Sequence, residues 1–190
     1  VSGGHTDLIL MKSENEFEYL GQTLDDAIGE AYDKVARILN LPYPGGPNVE
    51  KYALQGEPTY KMPQILNDET FNFSFSGIKS HVNNLVHNEK QRGNEIRQYD
   101  IARSFQDCVT SHLVDKTKKA LLKYNLKTFL ISGGVAANSH IRPIVRPDAV
   151  GRILQNAVDI VMKHTVFVIL SACVLPFKRP TAVVRHIERI

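Results

Sequence analysis

A Ser-Gly-Gly turn beside an apolar run occurs twice in this 190-residue chain, and no other feature restricts its folding as strongly. Val1-Ser2-Gly3-Gly4-His5-Thr6 leads into Leu8-Ile9-Leu10-Met11. Phe129-Leu130-Ile131 leads into Ser132-Gly133-Gly134-Val135-Ala136-Ala137-Asn138. Glycine has no Cβ and accepts positive φ, so the backbone N–H groups of such a turn come close to an anion. A helix that starts just after the turn adds its positive end. Two turns of one composition, bracketing helical sequence, point to a cleft that holds a nucleotide from two sides.

The length suits one domain with a real core, or one and a half small ones. The net charge of +3 is unevenly placed. Residues 1–142 carry 16 Lys and Arg against 17 Asp and Glu, whereas residues 143–190 carry 7 against 3. The basic excess belongs to the tail, which weakens any case for nucleic-acid binding by charge alone in the main body. Cys108 and Cys173 show no metal spacing and fit a reducing compartment, the cytoplasm. The run from Thr165 to Phe177 is too short to span a bilayer. The chain opens inside a motif and reads as a fragment whose N-terminal portion is missing.

Residues 7–12 read as a strand with Phe17–Leu20 as hairpin partner. A helix follows, capped by Asp25 or Asp26, with Ile28, Ala31, Tyr32, Val35 and Leu39 on one face and Asn40 as stop. Leu41–Pro47 is a rigid turn, and Pro47 suits the first position of a short helix from Asn48 to Leu54. Residues 56–70 read as polar loop. Phe71–Gly77 alternates as an extended segment does and feeds a helix from Ile78 to Asn88. The longest helical pattern runs from Asp100 to Tyr124, with Ile101, Phe105, Cys108, Val109, His112, Leu113, Ala120 and Leu121 as buried stripe. Lys116, Lys118, Lys119 and Lys123 read as a solvated face. Phe129–Ile131 is a buried strand, and a helix begins near Ala136 and ends before Pro143. Residues 153–170 read as a helix passing into a strand.

Asp26, Glu30 and Asp33 share a helix face near the Pro44-Gly45-Gly46-Pro47 turn, where carboxylates meet water, a metal or hydroxyls. His5 follows the first glycine turn directly, either as a ligand contact or bonded to a local acceptor. The other histidines show no H-x-x-x-H or H-E-x-x-H spacing, and no G-x-S-x-G elbow occurs.

Five segments carry a resemblance in this order: Val1–Thr6, Leu24–Lys34, Tyr43–Pro47, Phe73-Ser74-Phe75-Ser76-Gly77-Ile78-Lys79 and Ser132–Asn138. Together they resemble TsaD, the transferase family of tRNA threonylcarbamoyladenosine synthesis, formerly labelled glycoprotease or O-sialoglycoprotein endopeptidase. The resemblance covers residues 1–142. It implies an α/β, actin-like ATPase fold (ASKHA, ribonuclease H-like) with helical insertion, of which this chain is mainly the second lobe, followed by a divergent or frameshifted tail over 143–190.

The resemblance further implies transfer of a threonylcarbamoyl group from threonylcarbamoyl-adenylate to the adenine beside the anticodon of tRNAs reading codons that start with A. It places Val1, Ser2, Gly3, Gly4 and His5 at the acyl-phosphate region and Asp33 and Glu50 at ribose hydroxyls. Gly46 permits close backbone approach, and Asn138 binds the adenine side. One divalent metal, iron or zinc, belongs to the family, held by an H-x-x-x-H pair in the first lobe and an Asp in a late D-N-A/G-A-M motif. Asp148 and Asp159, the only aspartates after Asn138, lie in no such motif, so no metal ligand is expected from this fragment. The implied partners are tRNA and subunits of the TsaB and TsaE types. The alternatives are a nucleotide-binding ATPase or sugar kinase of the same fold, an inactive truncated fragment, and, least supported, a metalloprotease. The fragment alone is expected to be inactive, its tail leaving the lobe incompletely covered.

Overall fold

The computed structural model describes residues 4–13, 15–126, 129–141 and 167–171. The continuous apolar run Leu8–Met11 and the Phe17–Leu20 segment lie in a hairpin of β1 (Asp7–Ser13) and β2 (Glu16–Gln22), antiparallel, with Ile9 opposite Tyr19 and Leu10 opposite Glu18. Leu8 and Leu10 point into the core. Two further strands complete a four-stranded sheet in the order β2-β1-β4-β3. β3 (Leu130–Ile131) runs parallel to β4 (Phe167–Ser171), and β4 runs antiparallel to β1. The expected strand at the end of 153–170 is thus present, between β1 and β3. The helix expected before it lies outside the described residues, as does most of the tail.

Among the described residues the sheet is accompanied by α1 (Ile28–Ile38), α2 (Gly45–Ala53), α3 (Ser76–Gln91) and α4 (Gln98–Lys123). The α1 stripe is buried as its spacing predicts, with Ile28, Ala31, Tyr32, Val35 and Leu39 inside. Tyr32 meets Phe105 of α4 edge to face, ring centres 5.0 Å apart. α4 buries more than a stripe, because irregular chain from residues 56–70 covers a second side of it.

The caps differ from expectation. α1 begins after Ala27, and neither Asp25 nor Asp26 caps it. Its first N–H, on Ile28, is taken by Thr6 Oγ1 at 2.9 Å. Asp25 instead reaches across 50 residues to the start of α3. Its carboxylate accepts from Ser74 Oγ (2.6 Å), Phe75 N (2.7 Å), Ser76 N (3.1 Å) and Ser76 Oγ (2.7 Å). These bonds hold the Phe71–Phe75 segment extended. Phe73 also bridges to Thr23. The alternation in this segment is therefore real, but it forms an anchored extended run and not a full strand.

Burial pushes the Asp25 carboxyl up, yet the hydrogen bonds to its ionised form outweigh burial and leave it below the ordinary 3.8. A carboxyl held lower in the folded than in the unfolded chain adds stability above the unfolded value and loses it as pH falls through the folded one. Asp25→Ala is expected to reduce stability at neutral pH by about 1–2 kcal/mol, given its exposure. It should also flatten the acid limb below about pH 4. Thermal melts across pH check this; an unchanged acid slope in the variant refutes it.

The lysine cluster also divides. Lys116 is buried, its ammonium on Asp68 Oδ1 (2.5 Å), Thr70 O (2.7 Å) and Asp68 O (3.3 Å). Lys119 bonds Asp68 O at 2.7 Å, and Lys123 lies over the Phe71 ring. A solvated face fails here because loop 56–70 returns over α4 and brings carbonyls the helix periodicity does not reveal.

Candidate functional site

The first glycine turn ends where α1 begins. Gly4 and His5 are exposed; Val1, Ser2 and Gly3 lie outside the described residues. Thr6 ties this turn to the helix: its Oγ1 accepts from Ile28 N, and its carbonyl accepts from Thr23 N at 2.9 Å. Next to it, burial pushes the Asp7 carboxyl up, opposed by His5.

Asp26, Glu30 and Asp33 do not form the expected shared helix face, because Asp26 precedes α1. Lys34 pairs with both Asp26 and Glu30 at 2.7 Å, and Lys79 adds a contact to Asp26 at 3.5 Å. Asp33 points elsewhere. Its Oδ1 accepts from Gly45 N at 2.8 Å and so occupies one of the orphan donors at the start of α2. This bond explains why α2 starts at Gly45, three residues before the expected Asn48. Asn48 serves the turn instead, donating to Pro42 O and Pro44 O at 3.0 and 2.8 Å. A Cβ on Gly45 would stand 2.5 Å from Asp33 Cα, whereas one on Gly46 would meet nothing within 4 Å. The close approach inside the chain thus belongs to Gly45, and Gly46 faces open space.

Glu50 lies one turn beyond Gly46. Its Oε1 accepts from Ser139 N (2.7 Å) and Ser139 Oγ (2.5 Å) and clamps the second glycine turn to α2. That turn has Gly133 at φ 97° and continues as a single 3-10 turn, Gly134–Ala137, where a longer helix was expected. The reason is Asn138, which breaks the turn and starts a new one. Its Oδ1 accepts from His140 N and Ile141 N, both at 3.0 Å, and its Nδ2 donates to buried Gln106 Oε1 at 3.2 Å. Asp107, one residue on, takes Arg103 Nε at 3.0 Å and His140 Nε2 at 2.8 Å.

Asp33, Gly46, Glu50 and Asn138 are therefore gathered where α1, α2 and the second glycine turn meet. Among the described residues no hydrogen bond joins Gly4 or His5 to them. The two carboxylates are each half used: Asp33 Oδ2 and Glu50 Oε2 have no hydrogen-bond partner among the described residues. Tyr32 closes the inner wall. Its hydroxyl is buried without a partner among the described residues, and burial with Glu50 and Asp107 pushes it up, so it stays protonated. Carboxylate oxygens left free beside an open glycine backbone have the chemistry to accept hydrogen bonds from hydroxyl groups. Sequence reasoning missed Thr6, Gly45, Gln106 and Ser139. Thr6 and Gly45 lie inside motif segments and Ser139 adjoins one; Gln106 carried no signal except its place on a buried helix.

The sequence profile of the TsaD family, described as tRNA N6-adenosine threonylcarbamoyltransferase, matches residues 1–155. The chain belongs to this family. Curated relatives of that description from Halalkalibacterium halodurans, Bacillus cereus and Listeria welshimeri are each 54% identical over 143 residues, or 75% of this chain. The chain spans 42% of the length of each of these relatives. The TsaD profile extends past Arg142, where the five-motif resemblance stopped. Among the described residues no group of three or more His, Cys, Asp or Glu stands close enough to hold a metal, so the iron or zinc of the resemblance has no fitting ligand set there. No helix among them is long and apolar enough to cross a membrane.

Proposed function

We propose that this chain is the second lobe of an actin-like, two-lobed enzyme (ASKHA, ribonuclease H-like, with helical insertion) that transfers threonylcarbamoyl from its adenylate to tRNA. The half-used carboxylates of Asp33 and Glu50 beside open Gly46 carry this reading. The adenylate already has a leaving group. The adenine N6 attacks the carbamoyl carbon, the bond to the phosphate oxygen breaks, AMP leaves, and the N6 proton passes to solvent. No protein nucleophile is required, so positioning is the main task of these residues.

In this reading Asp33 Oδ2 and Glu50 Oε2 accept from ribose hydroxyls while their other oxygens fix the scaffold. Gly46 lets the ligand approach the backbone. Asn138 shapes the adenine side by holding the second glycine turn, and the Val1–His5 turn faces the acyl-phosphate. The divalent metal, iron or zinc, belongs to the proposal with ligands outside the described residues, as do TsaB- and TsaE-type partners, a cytoplasmic location and a divergent or frameshifted tail over 143–190.

Asp33→Asn tests the reading, because it keeps the acceptor for Gly45 and removes the charged oxygen. Each charge-assisted bond contributes about 1.5–3 kcal/mol. The variant is expected to bind a non-hydrolysable threonylcarbamoyl-adenylate analogue one to two decades more weakly, at about 1.4 kcal/mol per decade. The wild type should discriminate against the 2′-deoxy analogue and the variant should not. Equal discrimination by both removes Asp33 from the ribose. Preference for ATP over the analogue, with hydrolysis, favours the kinase-like alternative.

A further inference from the structure

Asn138, Ser139 and His140 follow the second glycine turn, and each is tied to a helix by one side chain. Gln106 on α4 holds Asn138, Glu50 on α2 holds Ser139, and Asp107 on α4 holds His140. The three ties are unequal. Ser139 is exposed, and the His140 and Asp107 side chains keep 19% and 30% of their surface in solvent, so water competes for both of those bonds. Gln106 is 1% exposed and Asn138 7%, and neither amide can trade its partner for water without opening the core. The bond between them is the tie that solvent does not weaken.

The direction of that bond is fixed as well. Asn138 Oδ1 accepts from His140 N and Ile141 N, both at 3.0 Å, and the amide nitrogen cannot take that place. Asn138 Nδ2 therefore faces α4 and donates to Gln106 Oε1 at 3.2 Å. An apolar side chain at position 106 would leave that N–H without its acceptor. Burying an amide on a core helix costs free energy that a leucine would not, and the Asn138 bond offsets it. Next to Gln106, Phe105 is fully buried and meets Tyr32 of α1 edge to face at 5.0 Å, so the oxygen is presented from a closely packed part of the chain.

We propose that Gln106 is a positioning residue of the candidate site: it sets the pose of Asn138 and, through Asn138, the selection of the nucleobase. This rests on the reading in which Asn138 shapes the adenine side. Gln106 acts through Asn138 rather than by touching the ligand. It removes the other rotamers of Asn138, so the base meets one carboxamide orientation instead of several. In the same reading the ribose is held by Asp33 and Glu50, on α1 and α2. Loss of Gln106 therefore weakens the choice of base more than the grip on the sugar.

The experiment has two readouts on the 190-residue chain. The first needs no ligand. Amide hydrogen exchange is compared between wild type and Gln106→Met, which keeps the volume and removes the oxygen. The His140 and Ile141 amides, both bonded to Asn138 Oδ1, should exchange about tenfold faster in the variant, over and above any change shared with amides in the middle of α4. The second readout is binding of the non-hydrolysable threonylcarbamoyl-adenylate analogue and of its uracil counterpart. The ratio of the two affinities should fall about fivefold or more in Gln106→Met. Gln106→Glu should recover most of that ratio, because a carboxyl buried there is neutral and keeps an acceptor oxygen. Gln106→Asn withdraws the oxygen by one methylene and decides the matter if Gln106→Met does not fold. Exchange at His140 and Ile141 that only follows α4, or an unchanged affinity ratio, overturns the proposal and leaves Gln106 as a core residue. A wild type that does not bind the adenylate analogue overturns the proposed function instead, and the exchange result alone then decides whether Gln106 sets the pose of Asn138.

Discussion

Phe75→Ala is expected to cost about 3–5 kcal/mol of stability, the range for truncating a buried aromatic. For a chain of this length that lowers Tm by roughly 6–20 °C. The ring is fully buried, parallel to Phe73 at 6.2 Å and edge-on to His112 at 5.7 Å. Its backbone N–H is one of the four donors on Asp25, so the ring and the α3 cap fail together. Little collapse can fill the void, because Phe73 and His112 are held by their own neighbours. Phe75→Leu should lose less than half as much. A Tm within a few degrees of wild type for Phe75→Ala would show that the Phe71–Ser76 segment is not the packed anchor described above.

Gly45→Ala is expected to be the most damaging single methyl near the candidate site. The new Cβ would stand 2.5 Å from Asp33 Cα, 2.7 Å from Asp33 Oδ1 and 2.9 Å from Ala36 Cβ. Two of these are not flexible side-chain ends, so α2 must move off α1. The Gly45–Asp33 bond at 2.8 Å lengthens or breaks with that movement. Overpacking of about 1–3 kcal/mol and a lost charge-assisted bond of about 1.5–3 kcal/mol together lower stability by about 3 kcal/mol or more. Gly46→Ala is the control. Its Cβ meets nothing in the chain, so stability should change by less than about 0.5 kcal/mol. Under the proposed function the same methyl enters the space the adenylate needs, and analogue affinity should drop at least tenfold. Equal melts for the two variants would refute the packing argument. Unchanged affinity in Gly46→Ala would remove Gly46 from the ligand.

Much of the fold was legible from local pattern. The α1 stripe and the long α4 follow from a spacing of 3.6, because burial of one face imposes a period on the residues that line it, and the β1–β2 hairpin follows from two apolar runs around a polar connection. The five motifs and their order placed the chain in its family, and the second glycine turn was located by composition alone.

Tertiary structure decided where the polar side chains go. Asp25 looked like the cap of the helix beside it and caps one 50 residues away. Asp33 looked like one of three acids on a face and starts α2. Lys116 looked solvated and is buried under Asp68 and Thr70. Glu50 finds its partner, Ser139, 89 residues on. The physical reason is common to all four. Periodicity reports only whether a position faces the core, since apolar contact is non-directional. A hydrogen bond needs one particular atom within about 3 Å. Which distant segment supplies that atom is set by how α1, α2, α4 and the loops pack, and no local stretch of sequence contains it.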